Sequence, residues 1–444
     1  MRTLRDLRAH ADARLLAGDA HAALHAYCAL VQLQPVDLDA RLRVADSLLA
    51  LGEVQRAAVV YTALARYATH AGYPLRALVA LKVLTALEPQ LEALLAPLAE
   101  LYSVDSPRLG RGVRLAPGDP DQLVPETLDL ARQIPLDQLA PHAERVAADT
   151  AGAAFPERLP PIPLFSELRG DAFRALLPAL KLRRVRPGEV VLAEGEPGQS
   201  FFVIARGEVQ VTKKLAQHPE AGGGDTVLAT LHEGAIFGEM ALVSAAPRSA
   251  TVRASTDADL LEFDRDALAA LSRDVATLAV ALDKFTRERL LQNLLQTSPL
   301  FRPLDRKQRM DLVRRFTAHD VGPGVPIITE GQPGRGLFVL LSGEVDVSKI
   351  DGDSKILLAT LKPGDVFGEI SLLNDEPATA TVTAARQSTV LFLGRDIFQR
   401  LVAAFPEIRE YISQLGEERQ LDTRLLLETS EGTEELDLED LVLV

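Results

Sequence analysis

The chain has a single cysteine, Cys28, no tryptophan, and too few basic residues to balance its acids: 48 Lys and Arg stand against 62 Asp and Glu in 444 residues, a formal net charge of −14. A lone cysteine excludes an intramolecular disulfide and any cysteine-based zinc site, which suits a reducing, cytoplasmic compartment. The acidic balance argues against nucleic acid and anionic membrane as partners, because both are bound mainly by basic side chains that displace counterions. Long hydrophobic runs are also missing. The most apolar stretch, around Val275 to Leu282, falls well short of the ~20 residues of a membrane span, and residues 1–20 lack the apolar core of a secretory signal. No Gly-x-Ser-x-Gly elbow, P-loop, kinase signature or paired metal motif occurs, so no catalytic residue and no metal site is expected. His21 and His25 have i,i+4 spacing but no third ligand, and read as a solvent-facing helical pair. Asp351-Gly352-Asp353 is far too short for a calcium loop and reads as a hairpin turn.

What is present is 47% hydrophobic and 25% charged, enough for roughly three domains. Two internal repeats organise them. Near the N-terminus, Gly18, Ala23, Tyr27 and Leu30 are echoed about 34 residues later by Gly52, Ala57, Tyr61 and Leu64, the period of stacked helix-turn-helix units. A third helical pair, Pro74 to Leu87 and Gln90 to Tyr102, follows. Residues 1–103 therefore resemble the tetratricopeptide family, although Arg41 stands where its tryptophan is usual. Residues 104–159, rich in Pro, Gly and Asp, read as a linker.

The second repeat is stronger. Leu164-Phe165, Glu194-Gly195-Glu196-Pro197-Gly198 and Gly207-Glu208-Val209 return at one spacing as Leu300-Phe301, Glu330-Gly331-Gln332-Pro333-Gly334 and Gly343-Glu344-Val345. The spacing shortens before Phe237-Gly238-Glu239 returns as Phe367-Gly368-Glu369, which marks a hairpin tip of variable length between them. Each copy alternates short β-branched and aromatic runs with glycine turns, the pattern of a small β-barrel or jelly roll. Helices are expected before each barrel and after it, over Arg265 to Leu295 and Asp396 to Leu415. The fold class is thus multidomain α+β: N-terminal all-α helical repeats followed by two jelly-roll β-barrels with flanking helices, domain A over 160–296 and domain B over 297–415. Arg183-Arg184-Val185-Arg186 reads as the entry strand of the first barrel. The remainder, 416–444, reads as an acidic tail, either solvating or binding a partner as a disordered segment.

The segment Phe237-Gly238-Glu239-Met240-Ala241 followed by Pro247-Arg248-Ser249-Ala250 resembles the phosphate-binding cassette of the cyclic-nucleotide-binding domain family, which includes regulatory subunits of cAMP-dependent protein kinase and the bacterial catabolite activator. The resemblance covers about 160–415 and implies a bound cyclic mononucleotide, cAMP or cGMP, with no further cofactor. It places Arg248 on the phosphate, Gly238, Met240 and Ala241 along the backbone that approaches it, Glu239 on the ribose 2′-hydroxyl, and Ser249 on the phosphate or the purine edge. A fixed guanidinium with nearby amides suits one phosphodiester charge, and an ionised carboxylate suits a hydroxyl donor. In the second copy Gly368, Glu369, Ile370, Ser371, Ala378 and Thr379 occupy these places. With Ala378 where Arg248 stands, this pocket is expected to be degenerate: structural only, changed in ligand, or served by a cation from elsewhere. Leu278, Leu282, Phe285 and Arg289 form one helical face that could cover the ligand or pack a partner. The function expected is a cyclic-nucleotide receptor and adaptor that contacts a protein partner through its helical repeats and acidic tail. The rivals are a silent scaffold and a cyclic-dinucleotide effector.

Overall fold

The computed structural model describes residues 3–431 apart from 88–90, 151–153, 163, 215–224, 240–246, 249, 352–353 and most of 275–297. Two compact units result, Met1–Lys284 and Phe285–Val444.

The first unit opens with helical hairpins: α1 (Leu4–Leu16), α2 (Ala20–Leu33), α3 (Leu38–Ala50), α4 (Val54–Ala71), α5 (Pro74–Leu87) and α6 (Glu92–Tyr102). Their starts are written locally. Thr3 and Asp6 form a reciprocal capping box on α1, and the Asp19 and Asp37 side chains accept the Ala22 and Ala40 amides at α2 and α3, satisfying donors a helix start leaves orphaned. The repeat is structural as well as textual. Tyr27 donates to Asp12 at 2.5 Å and Tyr61 donates to Asp46 at 2.5 Å, so each buried tyrosine ties its helix to the partner in its own hairpin.

Residues 104–159 do not form a free linker. Within them α7 (Leu136–Ala148) buries Leu139, Ala140, Ala143 and Ala147 against α2, α3 and α4. Arg41, 1% exposed, donates to the carbonyls of Pro35 and Ala147 and stacks over Tyr67, tying α3 to the end of α7. Before α7 the chain runs along the helices, with Leu115 N–H donating to Ala71 O at 2.8 Å and Leu4 N–H to Gln122 O at 2.9 Å. The Pro/Gly composition serves close approach here: a Cβ on Gly118 would overlap the Gln34 side chain, and one on Gly112 would overlap the Arg158 backbone. His21 and His25 are half-buried, not fully solvent-facing, because α7 lies against α2.

Barrel A follows α8 (Gly170–Ala179). Its strands are β1 (Leu180–Val185), β2 (Val190–Leu192), β3 (Ser200–Arg206), β4 (Val209–Lys214), β5 (Asp225–Leu231), β6 (Ile236–Phe237), β7 (Thr251–Ala254) and β8 (Ala258–Asp264), with α9 (Arg265–Asp274) behind them. Antiparallel pairing gives two four-stranded sheets, β1-β8-β3-β6 and β2-β7-β4-β5, the two layers of a jelly roll. The second unit repeats both orders, β9-β16-β11-β14 and β10-β15-β12-β13, with β9 (Thr317–Val321), β10 (Pro326–Ile328), β11 (Gly336–Ser342), β12 (Val345–Asp351), β13 (Ser354–Leu361), β14 (Val366–Phe367), β15 (Thr381–Ala384) and β16 (Ser388–Gly394). The same ring pair centres each barrel: Phe202 on Phe237 and Phe338 on Phe367, each stacked with centroids 5.2 Å apart. Lys214 pairs with Asp225 and Asp351 with Ser354, so the length difference between copies lies at one hairpin tip.

Two helices end the second unit, Arg395–Ala404 and Pro406–Glu431. Residues 416–431 are therefore helical and not a disordered tail. Ile408 and Ile412 are buried, and their helical period continues through Gly416 to Arg419, which the acidic composition disguises. Residues 432–444 lie outside the described part.

Candidate functional site

In barrel A the Arg248 side chain lies across the start of the cassette. Its Nη1 donates to Gly238 O at 2.9 Å and its Nη2 to Ser200 O at 2.7 Å. The backbone beneath is fixed as well, since Arg248 N–H donates to Glu196 O and Gly195 N–H to Arg248 O. Two glycines make room: a Cβ on Gly198 would sit 2.9 Å from the guanidinium carbon, and one on Gly238, at φ +76°, would sit 3.0 Å from Nη1. Burial draws the guanidinium below its ordinary pKa, while Glu196, Glu262 and Glu239 oppose this. Arginine stays cationic in proteins, so a fixed positive charge lies at the start of the cassette. Of the residues expected at the site, Gly238 and Arg248 are hydrogen-bonded to each other and Glu239 acts on the guanidinium through its charge. Met240, Ala241 and Ser249 lie outside the described residues, as do Leu278, Leu282, Phe285 and Arg289.

Barrel B keeps the positive φ of the cassette glycine but changes the side chains around it. Gly368 takes φ +83° and Glu369 begins the short helix Glu369–Leu373. Ser371 fills the space the guanidinium holds in barrel A: a Cβ on Gly334, the counterpart of Gly198, would collide with the Ser371 hydroxyl. That hydroxyl donates to Gly368 O at 3.2 Å, as Arg248 does to Gly238 O. The swap is reciprocal in sequence, Ala241 with Arg248 in one copy and Ser371 with Ala378 in the other. Ala378 is buried and Thr379 exposed. Glu369, 2% exposed, accepts from Arg419 at 2.8 Å, and Arg419 also donates to Val366 O at 2.5 Å. Beside them is a cavity of about 510 Å³ whose lining includes Ile328, Val347, Phe367, Ile370 and Val382. Arg419 was missed from sequence because it lies in the segment read as a tail.

A third group of residues joins the helical region to barrel A. Arg184 of β1 donates to Asp46 of α3 at 2.8 Å and lies 3.3 Å from Asp259. Arg206 of β3 binds Asp257 and Asp259 at 3.1 and 2.8 Å, and Arg43 of α3 pairs with both Asp46 and Asp257. Farther along, Glu233 accepts from Arg76 of α5 at 2.5 Å and from Arg114 at 2.9 Å. Glu233 lies in the turn before β6 and the cassette, and Asp257 and Asp259 follow β7, which leaves it.

Residues 182–274 and 318–405 each match the model of the cyclic nucleotide-binding domain. The cAMP-dependent protein kinase regulatory subunit of Yarrowia lipolytica is 35% identical over 240 residues, 54% of this chain and 58% of that protein. The one from Neurospora crassa is 32% identical over 248 residues, 55% of this chain and 62% of that protein. The chain thus spans less than two thirds of either relative. Among solved structures, the regulatory domain of Toxoplasma gondii PKA with cAMP aligns at 25% identity over 57% of this chain and 92% of its own, with a TM-score of 0.28.

Proposed function

We propose, from the premise that this chain carries two cyclic nucleotide-binding domains, that it is a cytoplasmic receptor and signalling adaptor, not an enzyme. A cyclic mononucleotide, cAMP or cGMP, binds barrel A, and the helical region passes the response to a protein partner. The relatives' names make a protein kinase the first partner to test.

The observation that carries this reading is the Arg248 guanidinium, pinned by Gly238 and Ser200 carbonyls at the cassette. Among the described residues those two bonds use two of its five N–H donors, the others being offered to a phosphodiester, and the glycines on either side keep its slot open. The route outward is the ion-pair set. Glu233 before the cassette and Asp257 and Asp259 beyond it are held by arginines of the helices and strands. A ligand that re-seats the cassette therefore strains contacts that helices α3 and α5 make, which is a differential interaction able to shift their arrangement.

Calorimetric titration with cAMP, cGMP and cyclic di-GMP tests the receptor step. One of the two mononucleotides should bind saturably, and Arg248→Ala should weaken it by ~3 kcal/mol or more, since the phosphate loses a charge-assisted partner in a half-buried site. An unchanged dissociation constant would remove Arg248 from the role.

A further inference from the structure

Residues 114–122, Arg-Leu-Ala-Pro-Gly-Asp-Pro-Asp-Gln, cross one edge of the helical region as an irregular strap from the α4–α5 turn to the start of α1. Most of the bonds that hold it read main chain. Leu115 N–H donates to Ala71 O, and the Tyr73 hydroxyl donates to Leu115 O at 2.7 Å. The Gln34 amide donates to Asp119 O at 3.3 Å. The Arg5 and Leu4 amides, which a helix start leaves without partners, donate to Pro120 O and Gln122 O at 2.8 and 2.9 Å. The strap closes in a turn in which Gln122 N–H donates to Asp119 O, and Asp119 and Pro120 stand at the first two places of that turn, where their residue types are favoured.

Side chains enter at two further points. Gly118 passes over Gln34, where a Cβ would overlap the side chain, and Asp121 pairs with Arg5 at 3.0 Å. Arg8 and Arg76 are bound to Asp37 and Asp39, which leaves Arg5 to the strap. Little is buried by this seating: the Arg5 and Asp121 side chains are each 66% exposed and residues 119–123 are exposed throughout. A cavity of about 320 Å³ remains between Pro117 and Pro120 above and Leu4 and Tyr73 below, so the strap bridges the edge without filling it. A segment fixed by exposed hydrogen bonds and few apolar contacts opens at low cost. Arg114, at the head of the strap, lies on Tyr73 and donates to Glu233 at 2.9 Å, so the strap also bears one of the two cations held by the turn before the barrel A cassette.

We infer that this edge is a docking site for a Gly-Asp-Pro-Asp turn presented by a partner protein, and that residues 114–122 are its resident, displaceable occupant. The inference rests on the adaptor reading, for which it supplies the partner's chemistry. Its probe is titrated without nucleotide, so a silent barrel A and an edge that binds nothing give separate results. The probe is a fluorescein-labelled peptide of residues 113–123, followed by anisotropy against the full chain. A tethered strap acts at an effective concentration on the order of 1 mM, so against a peptide dissociation constant of about 100 μM it weakens the probe about tenfold. Gly118→Val, which drives the strap into Gln34, should therefore bind the probe about tenfold more tightly than wild type does. A probe with valine at the same glycine should bind that variant about tenfold more weakly. Asp121→Lys, an exposed change that sets a second cation beside Arg5, should tighten the probe about threefold, and it decides the matter if Gly118→Val fails to fold. Equal affinity for wild type and the variants, no binding to any of them, or a valine probe that binds as well overturns the inference. Wild-type dimers that excess probe dissolves, seen by sedimentation velocity, would make a second copy the occupant and overturn it too.

Discussion

Gly238 shows how narrow the tolerance around the guanidinium is. Its φ of +76° and the contacts a Cβ would make, 3.0 Å to Arg248 Nη1 and 3.1 Å to Leu192 Cδ1, combine backbone strain with a clash at the anchor. Gly234, on the same approach to the cassette, has φ +84° and open space around its Cβ position. An L-residue in this region costs ~1–2 kcal/mol. Both Gly238→Ala and Gly234→Ala should therefore lower stability by about that amount in urea unfolding. Only Gly238→Ala should also lower cyclic-nucleotide affinity in calorimetry, by about tenfold or more. Equal affinities for the two variants would show that Arg248 does not need its slot. The cassette letters made Arg248 and Ala378 legible as a contrast in the sequence itself. That Ser371 compensates for Ala378 was not legible, because it depends on which side chain a neighbouring glycine leaves room for.

Ion pairs between elements carry a pH signature. Burial raises the Asp39 carboxyl, but Arg76, 2.8 Å away, overrides it and holds it at about 2. Asp46 is shifted downward too, Arg184 and Arg43 outweighing its burial. A carboxyl depressed in the folded state contributes stability that is complete above its unfolded value of ~3.9 and is lost as the pH falls through the folded value. Asp37, raised by burial, runs the other way, so a comparison of variants is more telling than one curve. The urea midpoint of Arg76→Ala should lie below wild type near neutral pH, and the gap should close as the pH falls from ~4 toward 2. A gap independent of pH would mean that Arg76 acts by packing on Tyr73 and not through Asp39 and Glu233. The elements themselves were unevenly legible. Barrel strands and helical hairpins showed their periods, whereas α7 and residues 416–431 were hidden by Pro, Gly and acidic composition that reads alike for a flexible segment and for one laid closely on a neighbour.

At the scale of the whole chain, two compact units, Met1–Lys284 and Phe285–Val444, each own one barrel, so a ligand of barrel A has its own body to stabilise. Binding to the folded form alone adds RT ln(1 + [L]/Kd), about 2.7 kcal/mol at a hundredfold excess over Kd. In differential scanning calorimetry a cyclic mononucleotide should raise the transition of the first unit, and Arg248→Ala should abolish that rise. The transition of the second unit should not follow Arg248→Ala. The helical region shares the first unit with barrel A through Arg43, Arg76 and Arg184. It should therefore melt with barrel A and be stabilised by the same ligand, whereas helices fused to an independent barrel would melt on their own. Tyrosine fluorescence can follow this directly, since Tyr27, Tyr61, Tyr67, Tyr73 and Tyr102 all lie in the helical region and only Tyr411 lies in the second unit. If that signal ignores a cyclic nucleotide that stabilises barrel A, the ion pairs do not couple the two, and the adaptor proposal loses its physical route from ligand to helices.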